Sequence, residues 1–153
     1  MSRSDLTQAL NLQFRMVSTN SVMFSQIVAD RVGIHPTDNE CLDFLLQKGP
    51  STAGQLAKLT GLTTGAVTAM IDRLEKSGYV RRKHDQADRR RVLVIPNEAK
   101  IMAEVAPHAE PMGAAFEALC AEFSEKELAT ILRFITKANE LASEVISKAT
   151  SGE

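Results

Sequence analysis

Apolar residues recur at helical spacing from Asp5 to about Val32, at Leu6, Leu10, Phe14, Val17, Phe24, Val28 and Val32. The pattern predicts one long helix, or two with a bend near Ser18 to Ser21. Gly33 ends it, and Pro36 suits the first turn of a second helix, where Thr37 and Glu40 have capping-box spacing. That helix would bury Cys41, Leu42, Leu45 and Leu46 before the turn "KGPS".

A tighter unit follows. Ser51 is placed to cap a short helix with Ala53, Leu56 and Ala57 on its apolar face, Gly61 and Leu62 make a turn, and Thr63 caps a second helix to Ser77. Val67, Met70, Ile71 and Leu74 share one face of it, so Thr64, Gly65, Thr68 and Asp72 point the other way. Gly78 ends it, after which the period changes. Val80 to Lys83 and Arg91 to Ile95 read as strands joined by the polar loop "HDQADR". Pro96 to about Phe123 is helical again, with Ile101, Val105, Met112, Phe116 and Leu119 as its stripe, kinked or split by Pro107 and Pro111. "SEKEL" then opens a last helix faced by Leu128, Ile131, Leu132, Ile135, Leu141 and Val145.

The predicted fold is mainly α with a small β-hairpin wing: a winged helix-turn-helix between helical arms. Residues 1–35 form the N-terminal arm, 36–96 the winged lobe and 97–153 the C-terminal helices.

Charge sharpens this picture. The chain has a formal net charge of −1, yet six of its 18 Lys and Arg residues fall between Arg81 and Arg91, among only two acids. Residues 96–153 carry ten acids against five bases. A near-neutral total thus hides a basic centre and an acidic C-terminal third. Three consecutive arginines repel one another unless an anion is near. In a helix-turn-helix the second helix meets the major groove, here with Thr63, Thr64, Gly65, Thr68 and Ala69. These short side chains carry little base-reading code. Arg73 and Lys76 lie further along, suited to phosphates, and Arg81, Arg82, Lys83, Arg89, Arg90 and Arg91 can flank the duplex, with a tip arginine at the minor groove. A winged helix that docks an acidic protein partner, without sequence-specific DNA binding, is the alternative; enrichment of one palindrome from random duplexes separates the two.

Leu56 to Val94, "LAKLTGLTTGAVTAMIDRLEKSGYVRRKHDQADRRRVLV", resembles the MarR (multiple antibiotic resistance regulator) family of bacterial transcription factors. Its marks are Asp88 and Arg90 as the Asp-x-Arg wing signature, and Asp72-Arg73-Leu74-Glu75 followed by Gly78. The resemblance implies a homodimer interlocked through its terminal helices on a palindromic operator of double-stranded DNA. It also implies Arg90 at the minor groove, with Asp88 bracing the wing. Repression is the expected mode, because a dimer covering a promoter blocks polymerase unaided. Where the family usually has Leu-Thr and then Gly after the second wing strand, this chain has "IPNEAK", Ile95 to Lys100.

The resemblance further implies a small aromatic or carboxylate effector between the arms and the winged lobe. Phe14, Arg15, His35 and His108 lie on the segments concerned, although Arg15 also reads as a surface ion pair and His35 as a helix-entry residue. Cys41 and Cys120 have no disulfide or metal-ligand spacing and read as buried free thiols. Some members of the family sense oxidants through a cysteine in the first helix, where this chain has none, so the resemblance implies insensitivity to oxidants. The three histidines are scattered and no phosphate loop, HExxH or nucleophile motif occurs, so neither catalysis, nor a cofactor, nor a metal is expected. No apolar run approaches a membrane span, the N-terminus lacks a signal-peptide core, and a cytoplasmic protein is expected.

Overall fold

Ser2 starts the first helix: its hydroxyl accepts the Asp5 amide at 3.2 Å, while the Asp5 carboxylate accepts the Ser2 amide at 2.8 Å. In the computed structural model, which describes residues 1–151, α1 (Arg3–Val32) then runs without a break. Of the two readings, one helix or two, the first holds through Ser18 to Ser21. There Thr19 and Ser21 donate their hydroxyls to the carbonyls of Arg15 and Val17, four residues back, and so stay within the helix. Gly33, at φ +76°, closes α1 in the left-handed conformation that only glycine adopts freely. Along this helix only Val28 and Ala29 are buried.

Pro36 takes the first position of α2 (Pro36–Lys48), so the cap falls on His35 rather than on Thr37. His35 Nδ1 accepts the Thr37 amide at 3.3 Å. The buried face of α2 holds Cys41, Leu42 and Leu45 as expected, together with Asp38 and Asn39, whereas Leu46 stays 39% exposed at the edge of the stripe.

A two-residue strand, β1 (Ser51–Thr52), precedes α3 (Ala53–Thr60). Ser51 is in the strand, so the cap moves to Thr52, which forms a reciprocal capping box with Gln55. Gly61 (φ +68°) turns the chain into α4 (Thr64–Lys76), capped by Thr63 as predicted and followed by Gly78 at φ +77°. β2 (Val80–His84) and β3 (Val92–Pro96) pair antiparallel with Val80 opposite Pro96 and Arg82 opposite Val94. β1 adds to the far side of β3, giving the order β1-β3-β2, so the expected hairpin is a three-stranded sheet. Leu42, Leu45, Leu56, Met70, Ile71, Leu74 and Val94, each no more than 1% exposed, form the core that joins these elements.

Asn97 initiates α5 (Glu98–Glu104), accepting the Lys100 amide and donating its side-chain amide to the Gly78 carbonyl. The Tyr79 hydroxyl donates to Glu104 at 2.7 Å, and Lys100 reaches both that carboxylate and the Tyr79 ring face, fastening α5 to the base of the wing. The helix breaks at Val105. Pro107 then sits in the first turn of α6 (Ala106–Cys120), where a missing amide costs nothing, and Pro111 lies inside it. α7 (Glu125–Ser151) begins at Ser124, whose capping box with Glu127 is the one read from "SEKEL".

By contacts the chain forms two compact units, Met1–Ala109 and the residues from Glu110 onward. In the second unit Phe116, Leu132, Leu141, Val145 and Ile146 are each more than half exposed. Among the described residues no helix is long and apolar enough to cross a membrane.

Candidate nucleic-acid interface

Because Val67, Met70, Ile71 and Leu74 are all drawn into the core, the opposite face of α4 is left in solvent. Thr63, Thr64, Gly65, Thr68 and Ala69 are exposed there together at the start of the helix. Thr63 accepts the Ala66 amide at 3.3 Å, and the Thr68 hydroxyl donates to the Thr64 carbonyl at 2.9 Å. Thr68 therefore offers solvent a lone pair and a methyl group, its proton being engaged.

Strand alternation buries Val80 and turns Arg81 outward, with Lys83 exposed two residues on. The loop beyond them is folded by its own acids. Asp88 accepts the Arg90 amide at 3.0 Å and lies 3.8 Å from the Arg90 guanidinium, while Asp85 accepts the Ala87 amide and stands 3.8 Å from Arg91. His84 Nδ1 donates to the Arg89 carbonyl at 3.0 Å. This turn leaves the Arg90 side chain 97% exposed. Arg81, Lys83 and Arg89 have no acid partner among the described residues.

Arg73 and Arg82 are placed differently from the other cations. Arg73 grips Asp38 with two bonds, of 3.0 and 2.5 Å, and the Asp38 side chain is only 4% exposed. Arg82 reaches from β2 back to α4: its amide donates to Glu75 at 2.8 Å, and its guanidinium binds Glu75 and, at 2.5 Å, Asp72. The Arg82 amide, then its guanidinium, hold the Glu75 carboxyl below its ordinary value. With its folded value lowered, Glu75 contributes fully above the unfolded value near 4.5, and that contribution is lost as pH falls through the folded one. Protection of the Arg82 amide against hydrogen exchange is expected to be lost as pH falls below the ordinary carboxylate range and through the lowered Glu75 value. Glu75→Gln should show lower protection already at neutral pH.

Asp38, Asp72 and Glu75 as arginine partners are what the sequence did not reveal. Nothing local to Asp38 points to an arginine 35 residues away on another helix.

Of the four residues considered for an effector, Phe14 and Arg15 are exposed on α1, His35 caps α2, and His108 is half-buried in α6. A cavity of about 520 Å³ opens instead at the base of the wing, lined by Gly78, Val80, Arg81, Ile95, Pro96, Asn97 and Glu98. The Cys41 thiol is fully buried, and burial followed by the nearby Asp38 charge pushes it up to about 12, so it is neutral at physiological pH. Cys120 is half-buried.

A three-stranded wing beside an exposed, small-residue helix start defines the winged helix-turn-helix class. Residues 34–92 match the MarR family. Over 147 residues the chain is 42% identical to the uncharacterized HTH-type transcriptional regulator YcgE of Bacillus subtilis strain 168, covering 96% of this chain and 95% of that protein. The chain belongs to the MarR family and is a transcriptional regulator, as its relatives are, rather than an enzyme. Its fold is similar to that of a MarR family protein from Bacillus stearothermophilus, with a TM-score of 0.72 and 21% identity over 94% of this chain and 99% of that one. It is also similar to wild-type apo MarR from E. coli, with a TM-score of 0.59 and 23% identity over 84% and 96% of the two chains.

Proposed function

We propose that this regulator is a homodimeric repressor that binds a palindromic operator, with α4 in the major groove and the wing tip at the minor groove. The supporting observation is the exposed start of α4 beside a wing whose Arg81, Lys83 and Arg89 lack acid partners among the described residues and whose Arg90 side chain is 97% exposed despite Asp88 at 3.8 Å. MarR-family regulators bind DNA and are generally dimeric, in keeping with the apolar side chains that α1 and α7 leave uncovered in the single chain. Each phosphate neutralised by a free cation releases counterions, so binding falls steeply with salt.

Selection from a random duplex pool, with wild type and Arg90→Ala compared at two salt concentrations, tests the reading. A palindrome that Arg90→Ala binds more weakly is the expected result. Enrichment of no sequence would overturn it in favour of a scaffold docking an acidic protein.

Base reading by α4 is narrow. With its proton engaged, Thr68 can accept from adenine N6 or cytosine N4, or set its methyl on that of thymine. Thr68→Val keeps the shape and removes the acceptor, and is expected to lower discrimination at one operator position by about fivefold. Thr68→Ser should keep it; identical selected sites for wild type and Thr68→Val would refute the assignment.

An effector that releases the operator belongs to the same reading. Acting at His35, it would stand one helical turn from Asp38, whose amide donates to the His35 carbonyl at 2.9 Å, and through Asp38 it would reach Arg73.

A further inference from the structure

We infer that Arg73 and Arg82 are positioning residues, which fix the attitude of α4 between α2 and the wing and take no phosphate. The proposal rests on the operator-binding reading above and refines which cations serve it.

Three successive functions lie along one turn of α4. Leu74 is buried in the core at 1% exposure, Arg73 turns toward α2, and Asp72 with Glu75 turn toward the wing. On the first side, Asp38 holds the Arg73 Nε and one terminal nitrogen in a fork, and Asp38 itself is almost wholly out of solvent. Its neighbour Asn39 donates to Ser25 of α1 at 3.0 Å, so the turn carrying Asp38 is itself tied down. On the other side, Arg82 spends its amide and both terminal nitrogens on Glu75 and Asp72. The polar contacts therefore run in one line from α1 through α2 and α4 to β2.

A guanidinium moved from such a fork to a DNA phosphate would leave the Asp38 carboxylate charged, buried and unpaired, which is strongly unfavourable. No such penalty attaches to Arg81, Lys83, Arg89 or Arg90; Arg82, whose partners Asp72 and Glu75 are 60% and 39% exposed, is held instead by the three bonds that its amide and guanidinium make to them. Geometry thus divides the basic residues into those that frame the reading helix and those that meet the duplex. A frame set before DNA arrives also reduces the ordering needed on binding.

The test is operator affinity as a function of salt for wild type, Lys83→Gln, Arg73→Gln, Arg82→Gln and the double variant Asp38→Asn/Arg73→Gln, each confirmed folded by thermal unfolding. Lys83→Gln should make the slope of log K against log salt shallower by about 0.9, one released contact. Arg73→Gln and Arg82→Gln should bind about tenfold more weakly with the slope unchanged, and the double variant should be no weaker than Arg73→Gln, because the two partners act as a unit. As a measurement independent of variant folding, the Arg73 Nε proton in the wild-type NMR spectrum should stay protected and unshifted on addition of operator. A slope shallower by about 0.9 in Arg73→Gln or Arg82→Gln, or an Nε signal that moves on binding, would overturn the assignment. Failure of wild type to show any salt-dependent duplex binding would instead remove the operator reading, and this proposal with it.

Discussion

Leu132→Asp is expected to give a monomer that binds the operator at least about a hundredfold more weakly than wild type. Leu132 is 68% exposed on α7, in one stripe with Ile131 (42% exposed) and Ile135 (37% exposed). An apolar stripe of this length gains about 25 cal/mol per Å² when covered. A second copy offers the same stripe and so a self-complementary surface. A carboxylate at its centre would have to lose its water without a partner, at a cost of several kcal/mol. With the dimer gone, each winged lobe must bind its half-site alone, which forfeits the avidity of linked sites. Light scattering after gel filtration gives the mass and fluorescence anisotropy the affinity. Lys137→Glu, also exposed on α7 but away from the stripe, is the control and should remain dimeric. A Leu132→Asp protein that is still a dimer with full affinity would refute the role given to this face.

The second large effect belongs to the wing tip. Replacing Arg89, Arg90 and Arg91 together by glutamine should make the salt slope shallower by about 2.7, which corresponds to a loss of roughly 10² to 10³ in affinity at 0.1 M salt. The change is confined to exposed side chains on a turn held by main-chain bonds, Asp85 amide to Arg91 carbonyl and Arg91 amide to Asp88 carbonyl, both at 2.9 Å. Thermal stability should therefore be nearly unchanged, in line with surface substitutions generally. An unaltered slope would mean that the three arginines meet no phosphate.

Much of this was legible because helical periodicity is a property of single segments. The stripes on α1, α4 and α7, the caps at Thr63 and Ser124 and the glycine after α4 are all local, and they stand where the residues put them. What escaped was set by partners far along the chain. β1 has two residues and no period of its own, and it exists because Val94 and Leu93 lie opposite it. The cap of α3 shifted to Thr52 because Gln55 completes the reciprocal pair there. His35 became a cap because Pro36 fixed the start of α2, which made the Thr37 and Glu40 spacing a decoy. At the interface, composition marked every cation alike. Only tertiary contact, across 35 residues for Asp38 and Arg73, distinguishes a cation with a buried partner from one facing solvent.

Thr52 is both the last residue of β1 and the cap of α3, so a single backbone position belongs to the sheet and to the reading unit. Lengthening the chain anywhere near it would pull the sheet out of register or uncap the helix. The tip between Asp85 and Arg90 carries no such double duty, since it is exposed and bonded mainly to itself. Residues inserted at that tip are therefore expected to be tolerated, whereas the same insertion beside Thr52 would disturb sheet and helix together.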